Sequence, residues 1–433
     1  MPRIYTYIFL LLAAIAIACC IYRDTRLEQQ HPGDLRNRVV GARLQKDGIS
    51  PYFYGWDSTK SFRYYDPTGY DFMAASNITA SPFFHQLLYP IADIPQRSFS
   101  RIWLIIQYLS WASMLGIAIC LVSSRRQRLL ITAVAVLFLF TRFWTDTVFK
   151  GQNYFFIGWF CFVFIALLYK SASRRSLFLA GIVAAILILL RPTLAFFLLP
   201  FLFLWKQWPL KNRLAGIAGS LLMLALALGS SQSRYYWQQY LTALSEHVKL
   251  HQQLQPDPGQ KASFNHHLDY EGWKMDETDN AARAYPYKAS GESSNVFVWY
   301  KQVFHQRMPV NWMMIGSLVI IALLLLFYYR RVVLPHGFTA VQAGLLGICL
   351  YMISDYFSPI HRFTYNGMPW LAALLVIGWY HRLPYAIYGL ILAALLLLSV
   401  PWRIIPMQHS IGEYLLLLAT LIIVTKKHTK AFV

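Results

Sequence analysis

Asp34 is the residue of this sequence whose type and position could most directly do chemistry. It follows Pro32-Gly33, a pair that favours the start of a helix, and it comes soon after the first long apolar run. A carboxylate held beside a membrane can accept a proton from a hydroxyl group, as a general base does. The same position also suits an ordinary helix N-cap, which contributes about 1 kcal/mol to helix stability. From the residues alone, both interpretations stay open.

The helix that would carry Asp34 is predicted from the spacing of apolar residues. Leu35, Val39 and Ala42 recur at helical intervals on one face, and Gly48 supplies a stop at the C-terminal end. The opposite face is basic, so we expect a short amphipathic helix at the membrane surface. The basic residues on or near it are Arg36, Arg38, Arg43 and Lys46.

The composition predicts the class of fold that must position these groups. Hydrophobic residues make up 57% of the 433 residues and charged residues only 13%, against about 25% charged residues in soluble proteins. A helix that crosses the hydrocarbon core of a membrane needs about 20 mostly apolar residues. We therefore predict an all-α polytopic membrane protein, a single membrane domain over residues 1–433 with eleven or twelve transmembrane helices. The apolar runs are 4–22, 102–122, 129–145, 152–169, 177–190, 193–205, 214–230, 312–328, 338–354, 367–380, 385–401 and 411–424.

The distribution of charge predicts the orientation, because short loops rich in Lys and Arg stay in the cytoplasm. With the N-terminus inside, alternate loops carry 16 basic residues and no acidic one, whereas nearly all acidic residues fall on the other side. Both termini are then cytoplasmic, and the large segments 23–101 and 231–310 are periplasmic and carry surface helices. The pattern suits a bacterial inner membrane. Because topology accounts for the net charge of +20, nothing favours a nucleic-acid partner.

The five cysteines lie in or at the apolar runs, where small hydrophobic packing is their usual role. Neither a metal-ligand spacing nor a disulfide framework is present in their arrangement. The first apolar run is preceded by Arg3 like a signal peptide, but no convincing cleavage site follows it. We expect this run to be a retained membrane helix.

Arg191 is the most unusual cation of the sequence. It stands with Pro192 between two short apolar runs, at a depth where an unpaired charge is expensive and tends to be functional. The ordinary alternative is that its side chain reaches out to the membrane interface. A short polar loop, residues 145–153, is predicted on the same outer side.

Four stretches of the chain follow one another in an order that is typical of a known family. The most specific is Gly151-Gln152-Asn153, followed by a span, a basic loop, Ala180-Gly181, a second span and Arg191-Pro192. The other three are Asp34 with its helix through Asp47-Gly48-Ile49-Ser50-Pro51-Tyr52, Ser81-Pro82-Phe83 to Leu88 with Trp103, and Ser358-Pro359-Ile360-His361. Together they resemble the polytopic glycosyltransferases of the GT-C superfamily, and within it the GT87-like group typified by mycobacterial polyprenol-phosphate-mannose-dependent mannosyltransferases. The resemblance covers residues 5–210 well and 340–375 loosely, and the family usually has Lys-Pro in place of Arg191-Pro192.

The resemblance implies an inverting transfer of a sugar, a mannose-like hexose or a pentose, from a polyprenyl-phosphate donor. The acceptor would be a lipid-linked or cell-envelope glycan at the periplasmic face of the bilayer. Asp34 would be the general base, with Asp66, Asp71 and Asp146 as alternatives that could equally be solvated loop charges. Because phosphate leaves as a stable anion, nearby cations and not a general acid would assist its departure.

The resemblance also implies two sets of binding residues. Residues 231–310 match nothing in the family pattern, and we expect them to form the acceptor region. No cofactor is expected and no spacing supports a metal site, although a divalent cation held by phosphate and Asp stays open. Gln152 and Asn153 could instead cap the next helix, and a single loop His is more often neither a ligand nor a base. The expected donor-phosphate residues are Arg191, Arg362, His361 and Lys150, and the expected sugar or acceptor residues are Gln152, Asn153, Asp66, Asp71 and Tyr65.

Two other classes of protein fit part of the pattern. A ligase or polymerase of the O-antigen type also joins lipid-linked sugars outside many spans, and segment 231–310 gives that alternative some support. A transporter or flippase of lipid-linked sugars is disfavoured, because we find no internal repeat and place nearly all acidic residues in outer loops. The catalytic interpretation makes one structural demand: the segments 151–153, 191 and 361–362 must converge on Asp34.

Overall fold

The computed structural model describes residues 3–29, 33–65, 78–170, 172–251, 295–296, 299–300, 304, 308–359, 362–400 and 408–426. These residues form helices and loops without a β-strand, which confirms the all-α prediction. Short 3-10 turns lie at Phe62–Tyr64, Pro192–Leu194, Leu199–Gln207 and Thr364–Gly367. The α-helices are α1 (Arg3–Glu28), α2 (Gly33–Lys46), α3 (Pro82–Leu88), α4 (Gln96–Cys120), α5 (Arg125–Phe138), α6 (Arg142–Lys150), α7 (Tyr154–Lys170), α8 (Arg174–Leu190), α9 (Ala195–Leu198), α10 (Leu210–Leu228), α11 (Ser231–His251), α12 (Val310–Tyr328), α13 (Ala340–Tyr356), α14 (Trp370–Ile377), α15 (Tyr385–Ser399) and α16 (Gln408–Val424).

Every apolar run of the sequence becomes helical, but few of the helices are long. Among the described residues four helices are long and apolar enough to cross a membrane: Ile4–Glu28, Arg97–Cys120, Leu210–Leu228 and Val310–His336. The pair α5 and α6 forms one further candidate span that is bent by 52°. The remaining apolar helices have 10–17 residues. The fold is thus that of a multi-pass membrane protein, and the predicted total of eleven or twelve spans exceeds the number of helices of full spanning length.

The break between α5 and α6 explains why an apolar run does not always make one straight helix. The predicted span 129–145 is interrupted because Thr141 caps α6: its Oγ1 accepts a hydrogen bond from the Trp144 amide at 3.5 Å. The same hydroxyl donates to the Phe138 carbonyl at 2.7 Å and satisfies the end of α5. Capping of this kind ends one helix and begins the next.

The first helix is longer than its apolar run, and this changes the position of an acidic residue. The run was expected to end at residue 22, but α1 continues to Glu28. Asp24, which the prediction placed in an outer loop, is therefore fully buried. Its carboxylate accepts hydrogen bonds from the Tyr108 hydroxyl at 2.7 Å and from Trp144 Nε1 at 2.6 Å.

Close packing of backbones joins α8 to α10. A Cβ atom added to Gly181 would lie 2.0 Å from the Gly216 carbonyl oxygen, so only glycine fits there. Ser220 Oγ donates to the Gly181 carbonyl at 2.9 Å across the same contact. Small residues and interhelical hydrogen bonds are the usual means by which membrane helices associate.

Segment 23–101, the first outer segment, is named for its predicted periplasmic location. It folds around α2 as its sequence predicts. Leu35, Val39 and Ala42 are buried, and Gly48 ends the helix with a φ of 85°, a left-handed conformation that favours glycine. The chain beyond is held to the helix end by Arg63, whose Nε lies 2.6 Å from Asp47 Oδ2. This hydrogen bond lowers the pKa of Asp47, since it favours the ionised carboxylate.

Helix α11, in the second outer segment (231–310), packs on α2 and on the loop that follows it. It begins at Ser231, close to the predicted start at 234, and its Tyr236 and Tyr240 pack on Val40, Leu44 and Tyr52. The two outer segments therefore share one small hydrophobic core. Residues 252–294, which include most of the expected acceptor region, lie outside the described residues.

Candidate active site

Asp34 and Gln152 are in direct contact, although 118 positions separate them in the chain. Asp34 lies in the first turn of α2, and Gln152 follows Gly151, whose φ of 64° turns the chain from α6 towards α7. Gln152 Nε2 donates a hydrogen bond to Asp34 Oδ2. Arg38, one turn further along α2, donates from Nη2 to Gln152 Oε1 and from Nη1 to the Asp34 carbonyl, the latter at 2.5 Å.

This arrangement fixes the Asp34 carboxylate and leaves part of it accessible. Gln152 is buried, whereas Asp34 is only half-buried. In the part of the chain that the structure describes, Asp34 Oδ1 makes no hydrogen bond, so this oxygen can accept a proton from an incoming hydroxyl group. The side chain of Asp34 is bonded across to another element, which an ordinary N-cap would not require.

Arg191 lies in a second cluster that adjoins the first through Tyr154. Helix α8 ends at this residue, whose backbone is extended, and Pro192 begins a 3-10 turn. The guanidinium donates from Nη1 to the Tyr154 hydroxyl and from Nη2 to Asp355 Oδ1, the latter at 2.5 Å. Tyr154 begins α7, only two residues after Gln152, so the two clusters are neighbours.

Arg362 is enclosed by two carboxylates. Its Nε lies 2.5 Å from Asp355 Oδ2, and its two Nη atoms each lie 2.7 Å from a Glu413 oxygen. Its side chain is 2% exposed, against 19% for Arg191. Trp370 Nε1 donates to Glu413 Oε1 at 2.8 Å and closes the network. A donor phosphate would have to displace a carboxylate to reach Arg362, and the phosphate role of this residue stays a prediction.

The acidic residues of this network correct the prediction that nearly all acids lie in outer loops. Asp355 belongs to the last turn of α13 and is buried, although it was assigned to a loop. Glu413 was correctly placed in an apolar run and is buried in α16.

One of the predicted residues contacts Asp34, and two others lie further along the same chain of contacts. Gln152 contacts Asp34 directly, Arg191 adjoins Gln152 through Tyr154, and Arg362 is one carboxylate further away. His361, like Asp66 and Asp71, lies outside the described residues.

Lys150 lines a separate cleft of about 750 Å³ near the C-terminal ends of α1 and α6. Asp146, an alternative base, also lines it; its Oδ2 accepts a hydrogen bond from Thr364 and its Oδ1 lies 3.7 Å from Arg142 Nη1. The lining combines cations with aromatic and aliphatic surface. The lining residues are Arg23, Leu27, Phe140, Arg142, Thr145, Asp146, Phe149, Lys150, Phe363, Thr364, Tyr365, Ser399 and His409.

The remaining predicted residues have other surroundings. Asn153 is half-buried and immediately precedes α7, with its carbonyl accepting from the Phe156 amide at 3.0 Å. This position agrees with the alternative that it caps the helix. Tyr65 packs on Trp56, with ring centroids 4.3 Å apart, in an aromatic group of the first outer segment. Within the described ranges, no three His, Cys, Asp or Glu side chains lie close enough to hold a metal ion.

Sequence reasoning missed four residues of the two clusters. Arg38 could have been found from its position four residues after Asp34, which places both on one face of a helix. Glu413 carried a signal as the one acid in an apolar run, since such a charge needs a partner. Tyr154 and Asp355 have no comparable signal, because their contacts join helices that are far apart in sequence.

The apolar helices, together with a held carboxylate and arginines at the helix ends, define a multi-pass membrane protein with a polar site suited to group transfer. The chain belongs to glycosyltransferase family 87, whose model matches residues 79–359, more than half of the chain. It is therefore a membrane glycosyltransferase. No curated protein and no solved structure gave a significant match. Gln152, Arg191 and Asp355 lie inside the matched region, whereas Asp34 precedes it and Glu413 follows it.

Proposed function

We propose that this glycosyltransferase moves a mannose-like hexose or a pentose from a polyprenyl-phosphate donor to a lipid-linked or cell-envelope glycan on the periplasmic face. Asp34 is the general base. The observation that carries this proposal is the hydrogen bond from Gln152 to one oxygen of Asp34, which orients the carboxylate, while the other oxygen has no hydrogen bond among the described residues.

The reaction needs few protein groups. Asp34 Oδ1 accepts the proton of the acceptor hydroxyl as its oxygen attacks the anomeric carbon. Attack on the face opposite to the phosphate inverts the configuration, and the polyprenyl phosphate departs as an anion. The protein then contributes mainly orientation and positive charge near the departing oxygen.

Two places in the structure offer this positive charge. Arg191 retains 19% exposure next to the Asp34 cluster and can contact the phosphate. The cleft at Lys150 joins cations to apolar walls, a combination that suits a phosphate with an isoprenoid chain attached. Leu27 and Lys150 border this cleft. Leu27 precedes Asp34 by seven residues, and Lys150 precedes Gln152 by two.

The test uses membranes that contain the full chain and a labelled polyprenyl-phosphate sugar. We expect Asp34→Asn to lower transfer by about 10²- to 10⁴-fold, the usual contribution of a general base, with unchanged expression. The matched control is Asp47→Asn, which removes a carboxylate just beyond the other end of α2 and should leave the rate within about twofold, as expected for an exposed ion pair.

Mass spectrometry of lipids and glycans from cells with and without the protein would identify sugar and acceptor. Full transfer activity in Asp34→Asn would remove Asp34 as the base. Accumulation of an intact lipid-linked sugar on the inner face in cells without the protein would instead favour a flippase.

A further inference from the structure

Asp355 divides its two carboxylate oxygens between two arginines. Oδ1 lies 2.5 Å from Arg191 Nη2, and Oδ2 lies 2.5 Å from Arg362 Nε. Asn366 Nδ2 donates to Oδ2 at 3.0 Å, and the side chain of Asp355 is 1% exposed. The carboxylate is therefore fixed on both sides.

Within the described residues, the charges of this network form two matched pairs. Glu413 bonds both Nη atoms of Arg362 and compensates its charge. The charge of Asp355 is then left to balance Arg191. Removal of one partner from a buried ion pair leaves the other uncompensated, which is strongly unfavourable.

Arg191 is the one member of the four that reaches accessible space. Its side chain is 19% exposed, whereas Asp355, Arg362 and Glu413 are 1–2% exposed. The Tyr154 hydroxyl and Asp355 each accept a hydrogen bond from one of its Nη atoms, and these two bonds fix the orientation of the guanidinium. Tyr154, which Arg191 contacts, follows Gln152 by two residues, and Gln152 donates to Asp34.

We propose that Asp355 is a positioning residue for the transfer reaction: it fixes the Arg191 guanidinium towards the departing phosphate of the donor. The inference rests on the proposed function of Arg191 as a phosphate-binding residue. Arg362, Glu413 and Trp370 in turn hold Asp355, which gives the predicted phosphate residue Arg362 an indirect role.

The test compares Asp355→Asn with Arg191→Ala in the full-length protein. For Arg191→Ala we expect a higher apparent KM for the donor and a kcat at least as low as that of Asp355→Asn, because the guanidinium itself is lost. For Asp355→Asn we expect kcat to fall about 10- to 100-fold, as misplacement of a binding group by about 1 Å can cause, without a rise in KM. The neutral amide of the Asn side chain leaves the charge of Arg191 unchanged but removes the carboxylate that holds its guanidinium.

The double variant separates positioning from a general structural role. If Asp355 acts through Arg191, adding Asp355→Asn to Arg191→Ala should not lower kcat/KM further. It should also raise the melting temperature above that of Arg191→Ala, because the double variant restores the balance of buried charge. If Asp355→Asn lowers kcat/KM by the same factor in the wild type and in Arg191→Ala, the proposal is wrong.

Two further variants keep the test decisive. Glu413→Gln breaks an equally buried pair one residue further from Arg191, so it should lower the melting temperature but reduce kcat less than Asp355→Asn does. Asp355→Glu keeps the charge but moves the carboxylate, and we expect a normal melting temperature with a reduced kcat. Wild-type kinetics of Asp355→Glu would contradict positioning even if Asp355→Asn does not fold.

An unchanged donor KM in Arg191→Ala would instead remove the phosphate role of Arg191 and leave the proposed role of Asp34 as general base unaffected.

Discussion

Gln152 stands between a carboxylate and a guanidinium, and these two neighbours decide how its amide is oriented. The oxygen faces Arg38 and the nitrogen faces Asp34. The hydrogen bond from this nitrogen fixes the orientation of the Asp34 carboxylate. The neutral amide thus links a cation to the proposed base without neutralising that base.

Replacement of this amide by a carboxylate gives a prediction at the residue scale. In Gln152→Glu the hydrogen bond to Asp34 is replaced by contact between two acidic groups, which favours protonation of one of them. We expect the acidic limb of the kcat/KM profile to move to higher pH, by about one unit or more. The measurement is transfer rate against pH in detergent.

Asn153→Asp is the matched control, since it introduces the same charge at the next residue, which does not contact Asp34 in the described structure. Its pH profile should stay close to that of the wild type. An unshifted profile in Gln152→Glu would contradict the role of the Asp34–Gln152 contact.

At this scale the sequence indicated candidate residues, but it did not indicate all of their partners. Asp34, Gln152 and Arg191 were selected from helix starts, a polar loop and a cation at membrane depth, and the structure brings them together. The partner of Arg191 was not predicted, because Asp355 meets it across 164 positions of chain. Spacing reports what one helix presents on a face, but not which other helix packs against it.

Helices α2 and α3 meet at a buried histidine. A Cβ atom added to Gly41 would lie 2.4 Å from His85 Nε2, and His85 Nδ1 lies 3.2 Å from Gln45 Oε1. Burial, with a smaller effect from Arg38, lowers the pKa of His85 from 6.5 to about 3. The imidazole is therefore neutral in the folded protein at pH 7, and its contact with α2 depends on that state.

The packing of α2 on α3 should consequently weaken in mild acid. Because the pKa of His85 is lower in the folded state than in the unfolded state, its contribution is complete above about pH 6.5 and decreases as the pH falls towards 3. Between pH 7 and pH 5 we expect a loss of about 2 kcal/mol in the free energy of unfolding. The melting temperature in detergent at the two pH values measures it.

His85→Gln removes the titrating group and should reduce this pH dependence, whereas His336→Gln, at an exposed histidine, should not. The prediction fails if wild type and His85→Gln lose the same stability on acidification.

The helices themselves were largely predictable, and their ends were less so. The apolar face of α2 and the stop at Gly48 followed from spacing and residue type. The break at Thr141 did not, because hydropathy does not distinguish a cap inside an apolar run from a continuous helix. The extension of α1 to Glu28 was missed because Asp24 finds its hydrogen-bond donors on other helices.

For the whole molecule, hydrogen bonds between distant segments support the proposed topology. Two of them join helix ends or loops that the charge pattern assigns to the cytoplasmic side. Arg125 donates to Thr6, and Gln127 donates to the Trp379 carbonyl at 3.0 Å. On the proposed outer side, Gln86 donates to Ser233 at 3.1 Å. The pairings fit one alternating path of the chain, with the Asp34 site at the outer ends of the helices.

Cysteine accessibility checks this orientation. In a variant without the five native cysteines, Ser58→Cys should react with a membrane-impermeant maleimide in intact cells. Arg126→Cys should react only after permeabilisation, because basic loops stay inside. Both positions are exposed, so the comparison reports sidedness and not burial. The opposite labelling pattern would place Asp34 in the cytoplasm and exclude a periplasmic acceptor.

The position of Glu413 in the last helix has a consequence for biosynthesis. Arg191, Asp355 and Arg362 are all made before α16, so the growing chain first contains two guanidinium groups and one carboxylate for the same buried place. Among the described residues, the second carboxylate of this network comes only with the final helix, so α16 completes the pairing of Arg362. A chain that stops before this helix lacks one of the two carboxylates that hold Arg362 in the described structure.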